Sequence, residues 1–125
     1  MGRFSRINLS LLRPSQDYLN QEGVNLYLKY IRKGKTLAPI PVAVVDDSVV
    51  MLDCHHQCAA QSHITDKVDI WLADGPRDKI PSEYFAPQLR LRLTGINESI
   101  GRRYHTVFSY DPGVQTIYDL VRGIR

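Results

Sequence analysis

A carboxylate, a thiol, two imidazoles and an amide follow one another at Asp53, Cys54, His55, His56 and Gln57. Histidine titrates near neutral pH, so it can donate hydrogen bonds to an anion or move a proton. An aspartate can accept a proton or help to hold a magnesium ion. The 53–57 segment is therefore the strongest candidate site, with Asp53, His55 and His56 as its candidate catalytic residues.

The elements around this segment predict a strand-to-helix junction. Residues 42–45 and 49–52 are two β-branched runs on either side of the turn-forming residues 46–48, which predicts a hairpin. Residues 54–61 lack β-branched side chains, so we expect a helix that Asp53 caps. Unpaired N–H groups at a helix start favour an anion, and we expect Cys54 and Gln57 to line a phosphate site there.

The remaining patterns predict a single α/β (α+β) domain over residues 1–125, with a small mixed sheet and flanking helices. A helix from about 20 to 33 has Asn20 as its cap and Gly34 just past its end. Further strands are expected at 6–12, 68–72 and 104–110, and a last helix is expected from Asp111-Pro112 to near Gly123.

Composition indicates an ordinary globular domain. Of the 125 residues, 43% are apolar and 23% are charged, and the net charge of +3 does not decide between phosphate ligands and a plain solvated surface. No segment resembles a signal peptide or approaches the ~20 apolar residues of a membrane span. We therefore expect a cytoplasmic protein without a membrane partner.

Two other groups of residues suggest chemistry more weakly. The run from Lys33 to Thr36 contains Gly-Lys-Thr but lacks the upstream glycine of a P-loop, so Lys33 and Lys35 are expected only to help bring in a polyphosphate. Cys54 and Cys58 lie four residues apart beside histidines, but no closed set of zinc ligands is present, and we assign no metal ligands.

The order of these features resembles the core of the ParB/sulfiredoxin superfamily over about residues 6–72. At the junction ParB proteins carry Gly-Glu-Arg-Arg, sulfiredoxins carry Gly-Gly-Cys-His-Arg, and ADP-dependent free serine kinases carry Asp-Gly-His-His-Arg. The chain is most similar to the kinases, with Asp53, His55 and His56 matched. The resemblance implies a nucleotide- or phosphate-binding domain using ATP or ADP, or CTP, with Mg²⁺. If it is an enzyme, phosphoryl transfer or nucleotide hydrolysis is implied.

The sequence also departs from these families. Cys54 replaces their glycine, Gln57 replaces their arginine, and Gln16 falls where the kinases place a catalytic glutamate, unless Asp17 or Glu22 supplies that base. The catalytic cysteine of sulfiredoxins falls on His55, so sulfinic-acid reduction is not expected. Two alternatives stay open: a DNA-associated nuclease or partition-type module with nucleic acid as its partner, and a degenerate, non-catalytic interaction protein.

Overall fold

A mixed five-stranded sheet forms the centre of the molecule in the computed structural model, which describes residues 1–85, 87, 90–108 and 116–123. The strand order is β1–β5–β3–β4–β2. The pairs β1/β5 and β3/β4 are antiparallel, whereas β3/β5 and β2/β4 are parallel. The strands are β1 (Arg3–Asn8), β2 (Leu12–Arg13), β3 (Ile40–Val45), β4 (Ser48–Met51) and β5 (Lys67–Leu72).

Four α-helices of the described residues accompany this sheet, which confirms the predicted α+β class. They are α1 (Gln21–Arg32), α2 (His55–Ser62), α3 (Arg90–Arg103) and α4 (Ile117–Arg122). The Asn20 side chain caps α1 by accepting the Gly23 N–H at 2.7 Å, and Gly34 follows the helix with φ 71°. Both were expected for this helix.

The hairpin that leads into the candidate site forms as predicted. Asp46 and Asp47 have φ of 49° and 65°, the left-handed values that a tight two-residue hairpin turn requires. Val45 and Ser48 pair directly on either side of the turn. Because β4 then runs back along β3, the chain reaches residue 53 at the edge of the sheet where α2 starts.

Two sequence predictions of strands are wrong. The predicted strand 6–12 is interrupted, because the Asn8 side chain accepts the Ser10 N–H at 2.9 Å and starts a 3₁₀ turn at Leu9–Leu11. The strand predicted at 104–110 is instead the end of a helical region, with a 3₁₀ turn at Thr106–Phe108; residues 109 and 110 lie outside the described residues.

The C-terminal helix starts later than predicted. Thr116 caps α4 by accepting the Asp119 N–H, and the Asp119 carboxylate accepts the Thr116 N–H in return. The predicted start at Asp111-Pro112 lies outside the described residues. In the part of the chain that the structure describes, no helix is long and apolar enough to cross a membrane.

The core lies between the sheet and the helices. Trp71 is buried there, and its indole N–H donates to the Asp78 carboxylate at 3.1 Å. Other fully buried side chains of the core are Leu9, Leu12, Val24, Ile40, Val42, Met51, Leu52, Ile100 and Ile117. A core of this kind holds the ends of β4, α1 and α2 in fixed positions around the 53–57 segment.

Candidate functional site

The backbone at Cys54 turns the chain from the hairpin into α2. Cys54 has φ 69° and ψ 30°, in the left-handed region, and its side chain makes no capping hydrogen bond. The prediction that Asp53 caps the helix is wrong, because its carboxylate instead accepts the N–H of Cys54 at 2.6 Å, one residue before the helix begins. Glycine adopts this conformation without the steric cost that a Cβ adds, so the position suits the glycine that the resembling families carry there.

His55 points into the protein, where it is 2% exposed. Its Nε2 accepts the Ser15 N–H at 3.0 Å, so the neutral ring carries its proton on Nδ1. Burial and the Arg103 guanidinium lower the pKa of His55 to about 3. His55 is therefore an uncharged hydrogen-bond acceptor at neutral pH, which does not support the proton-transfer role predicted for it.

Ser15 and His55 have the residue types of a nucleophile and its base. The Ser15 Oγ lies 3.5 Å from the His55 Nε2. However, Ser15 is only 1% exposed, so a substrate cannot reach its hydroxyl. The contact holds the loop between β2 and α1 against the start of α2.

His56 lies at the first turns of two helices at once. Its Nε2 accepts the Asn20 N–H at 3.2 Å, which leaves a proton on Nδ1 of the half-exposed ring. The ring lies so close to α1 that a Cβ on Gly23 would be 2.6 Å from its Cδ2. Burial lowers the pKa of His56, and the Asp53 carboxylate opposes this effect. His56 is thus a neutral group whose Nδ1–H can donate to a ligand.

Gln57 does not take the place of a phosphate-binding arginine. Its side chain is buried, and its Nε2 donates to the backbone carbonyl of Ala38 at 2.7 Å. The amide therefore ties α2 to the segment that enters β3. This geometry does not support the predicted role of Gln57 in ligand binding.

α1 and α2 run in the same direction. Their first turns meet at His56, and their last turns share a cavity that both Ile31 and Gln61 line. The first turn of an α-helix leaves N–H donors without partners within the helix and carries about half a positive charge. Two such ends therefore create a positive potential around His56.

Two arginines of α3 add positive charge to the same region, and no motif in the sequence marks either of them. The guanidinium carbon of Arg92 lies 5.0 Å from the ring centroid of Tyr27 in α1. Burial raises the pKa of Tyr27 to about 12, and Arg92 opposes this. Arg92 also opposes the rise in the pKa of the Cys54 thiol, so its charge acts at the start of α2.

Arg103 approaches from the other end of α3. Its Nη2 donates to the carbonyl and the hydroxyl oxygens of Ser15, both at 3.1 Å. Its Nε is buried and has no hydrogen-bond partner among the described residues. Arg92 and Arg103 are eleven residues apart, which is about three helical turns, so both lie on one face of α3.

The two thiols do not have the properties of nucleophiles. Cys54 and Cys58 are both buried and unbonded to each other. Burial raises the pKa of both thiols, and the Asp53 carboxylate adds to the rise at Cys54. A reactive cysteine needs a lowered thiol pKa and access to solvent. Among the described residues, no group of three or more His, Cys, Asp or Glu side chains is arranged to hold a metal ion.

Lys33 and Lys35 lie away from the 53–57 segment. They follow the last turn of α1, about 18 Å of helix rise from its first turn. The Lys35 ammonium lies 5.1 Å from the ring centroid of Tyr30. Gln16, where the resemblance to the kinases predicts a glutamate, donates through its amide to the Tyr18 carbonyl at 2.7 Å. The structure thus brings Asp53, His55 and His56 together but not the two lysines.

Comparison with known proteins yields a similarity of fold. No protein-family model matches the sequence, and no curated protein matches it. A solved structure, the crystal structure of protein Atu1540 from Agrobacterium tumefaciens, is 26% identical with a TM-score of 0.51. The match covers 58% of this chain and 40% of that protein, so this chain spans about two fifths of its length. The likeness is one of fold.

Proposed function

We propose that the protein binds the phosphate groups of a nucleotide where α1 and α2 begin. The observation that carries this proposal is the meeting of two helix N-termini at His56. Helix N-termini bind phosphate through free N–H groups and the helix dipole. The guanidinium of Arg92 adds positive charge at Cys54, where the Asp53 carboxylate has the larger and opposite effect.

Three side chains near the start of α2 can contact a phosphate or its metal ion: His56, Arg92 and Asp53. The His56 Nδ1–H can donate, because its Nε2 already accepts a backbone N–H. Arg92 is exposed and lies beside the segment, so it can supply the charge that Gln57 lacks. The ligand class is the one implied by the resemblance, ATP or ADP, or CTP. Mg²⁺ is commonly held by one or two carboxylates together with phosphates, a role that suits Asp53.

Binding has more support than catalysis. His55 is buried and neutral, and Gln16 replaces the acid that the kinases use. Phosphoryl transfer or hydrolysis would depend on Asp53 and His56. We therefore propose a nucleotide-binding domain of the ParB/sulfiredoxin type whose primary role is recognition.

Thermal unfolding with a panel of ligands tests this function. A ligand at about 100 times its Kd should raise the free energy of unfolding by about 2.7 kcal/mol. The panel contains ADP, ATP and CTP, each with and without Mg²⁺, and a double-stranded oligonucleotide. We expect a nucleotide to stabilise the parent, and Arg92→Gln to reduce this effect.

Arg32→Gln is the matched control, because it removes an exposed arginine at the far end of α1. It should respond to nucleotide as the parent does. Equal losses in both variants would show that net charge, and not this site, explains the binding. Stabilisation by the oligonucleotide alone would favour the DNA-associated alternative, and no stabilisation by any ligand would favour the interaction protein.

A further inference from the structure

A cavity of about 210 Å³ lies at the opposite end of the α1–α2 pair, where both helices end. Three aliphatic side chains line it: Ile31, Leu37 and Ile64. Ile64 is 57% exposed, so the cavity has an apolar surface that water can reach. Small-molecule sites combine such apolar walls with a few polar groups.

The size of the cavity matches a small molecule. A protein cavity of about 150 Å³ holds benzene. A space of about 210 Å³ therefore holds a molecule somewhat larger than benzene, and most of a nucleotide would lie outside it. The ligand of this cavity thus differs from the one proposed for the 53–57 segment, and neither proposal depends on the other.

Two side chains of opposite charge also line the cavity, Lys35 and Asp69. Asp69 is near the Arg6 guanidinium, but the distance of 3.8 Å between the Nε and Oδ1 atoms is long, and the side chains of Arg6 and Asp69 are 65% and 44% exposed. The carboxylate therefore keeps capacity for a second cation. A ligand that satisfies Lys35 and Asp69 together carries a negative and a positive group.

Gln61 supplies a neutral polar group at the same place. It lines the cavity, and its Oε1 is buried without a hydrogen-bond partner among the described residues. A buried acceptor without a donor is unfavourable. The last torsion of a glutamine side chain is soft, so the amide can turn Oε1 toward a donor in the cavity. An ammonium group held by Asp69 would be such a donor.

We propose that this cavity binds a small zwitterion with an aliphatic body, an α-amino acid of about the size of valine. Its carboxylate pairs with Lys35 and its ammonium group pairs with Asp69. Its side chain packs against Ile31, Leu37 and Ile64. Each of the three parts of the ligand then has a matching part of the cavity.

Titration with L-valine, followed by NMR, tests the proposal. Isovalerate lacks the ammonium group and isobutylamine lacks the carboxylate, so each removes one charge and keeps the body. We expect saturable shifts for valine at the Gln61 side-chain amide and at Leu37 and Ile64. Each analogue should bind about fivefold more weakly, the upper range for a partly exposed ion pair.

Substitutions test whether Lys35 and Asp69 each bind a charged group of the ligand. Lys35→Gln and Asp69→Asn should each weaken valine binding about fivefold. Lys33→Gln is the control, because Lys33 is an exposed neighbour that does not line the cavity, and it should bind as the parent does. The same spectra show that each variant is folded. Absence of saturable valine binding, equal binding of the three compounds, or an equal loss in Lys33→Gln would overturn the proposal.

Discussion

Where α1 and α2 begin, hydrogen bonds accepted by side chains link the two helices and the loop before α1, whereas three aliphatic side chains help to line an open cavity where the helices end. At the first end His55 is used internally, so the ligand-directed groups come from helix N-termini and from Arg92. Where the helices end, the polar side chains of Lys35, Gln61 and Asp69 line the same cavity as the aliphatic side chains. A motif rich in functional side chains can thus serve mainly to build a site whose binding groups come from elsewhere.

The largest expected effect is a loss of folding stability in acid, caused by His55 at the start of α2. The pKa of His55 is about 3 in the folded protein, compared with 6.5 for a histidine in the unfolded chain. Between these values the folded state binds fewer protons than the unfolded state, so stability is full above pH 6.5 and falls as the pH drops toward 3. The loss from this group should reach about 5 kcal/mol, with a slope of at most about 1.4 kcal/mol per pH unit.

Urea unfolding of the parent and of His55→Gln at several pH values measures this loss. Glutamine does not titrate, so the difference in unfolding free energy between the two proteins isolates the histidine. That difference should shrink as the pH falls. A difference independent of pH between 6.5 and 4 would show that His55 is not held neutral by the fold.

Removal of the His55 ring should have the next largest effect. His55→Ala leaves the buried Ser15 N–H without its acceptor and opens a cavity, at a cost of about 3 kcal/mol in the free energy of unfolding at neutral pH. His63→Ala, at an exposed position after the last turn of α2, should change stability by less than about 0.5 kcal/mol. Similar losses in both variants would contradict the positioning role of His55.

Local patterns in the sequence predict the parts of the fold that local chemistry determines. Asn20 and Gly34 mark α1, and the two aspartates mark the hairpin turn. α3 was missed because its 14 residues include Gly95, Gly101 and β-branched side chains that weaken a helical pattern. The strand prediction for residues 104–110 was wrong because aromatic and β-branched residues favour a strand, but tertiary packing can override that preference.

The candidate site could be located from the sequence but not understood from it. The spacing placed residues 53–57 at a strand-to-helix junction, which the structure confirms. Ser15 lies 40 residues before its partner His55, and Asn20 lies 36 residues before its partner His56. Arg103 lies 88 residues after its own partner, Ser15, and only tertiary packing creates such pairings. Sequence alone therefore could not reveal that Gln57 points inward or that Arg92 lies beside Tyr27.

The left-handed backbone at Cys54 predicts strain that two substitutions can measure. Cys54→Gly and Cys54→Ala both remove the sulfur, but only glycine relieves the left-handed conformation. The glycine variant should be more stable than the alanine variant by about 1 kcal/mol, the reverse of their order in an ordinary helix. Denaturant midpoints with equal m-values measure the difference. An alanine variant more stable than the glycine variant would contradict the strain.

Gly23 and Gly95 provide a matched pair with smaller effects. A Cβ on Gly23 would displace the His56 ring, whereas a Cβ on Gly95 meets no atom within 4 Å. Gly95→Ala should stabilise the protein by about 0.5 to 1 kcal/mol, and Gly23→Ala should lose this gain or become destabilising. Thermal unfolding measures both. Equal stabilisation by the two substitutions would mean that His56 does not lie against α1.

An NMR titration of the backbone amides with pyrophosphate tests whether phosphate binds where the two helices begin. We expect saturable shifts at the amides of His55, His56 and Gln57 and in the first turn of α1. Arg92→Gln should weaken binding about tenfold while Arg32→Gln does not, because hydrogen bonds from a charged donor contribute about 1.5 to 3 kcal/mol. Shifts confined to Lys33 and Lys35 at the far end of α1, or no saturable shifts, would contradict phosphate binding where the helices begin.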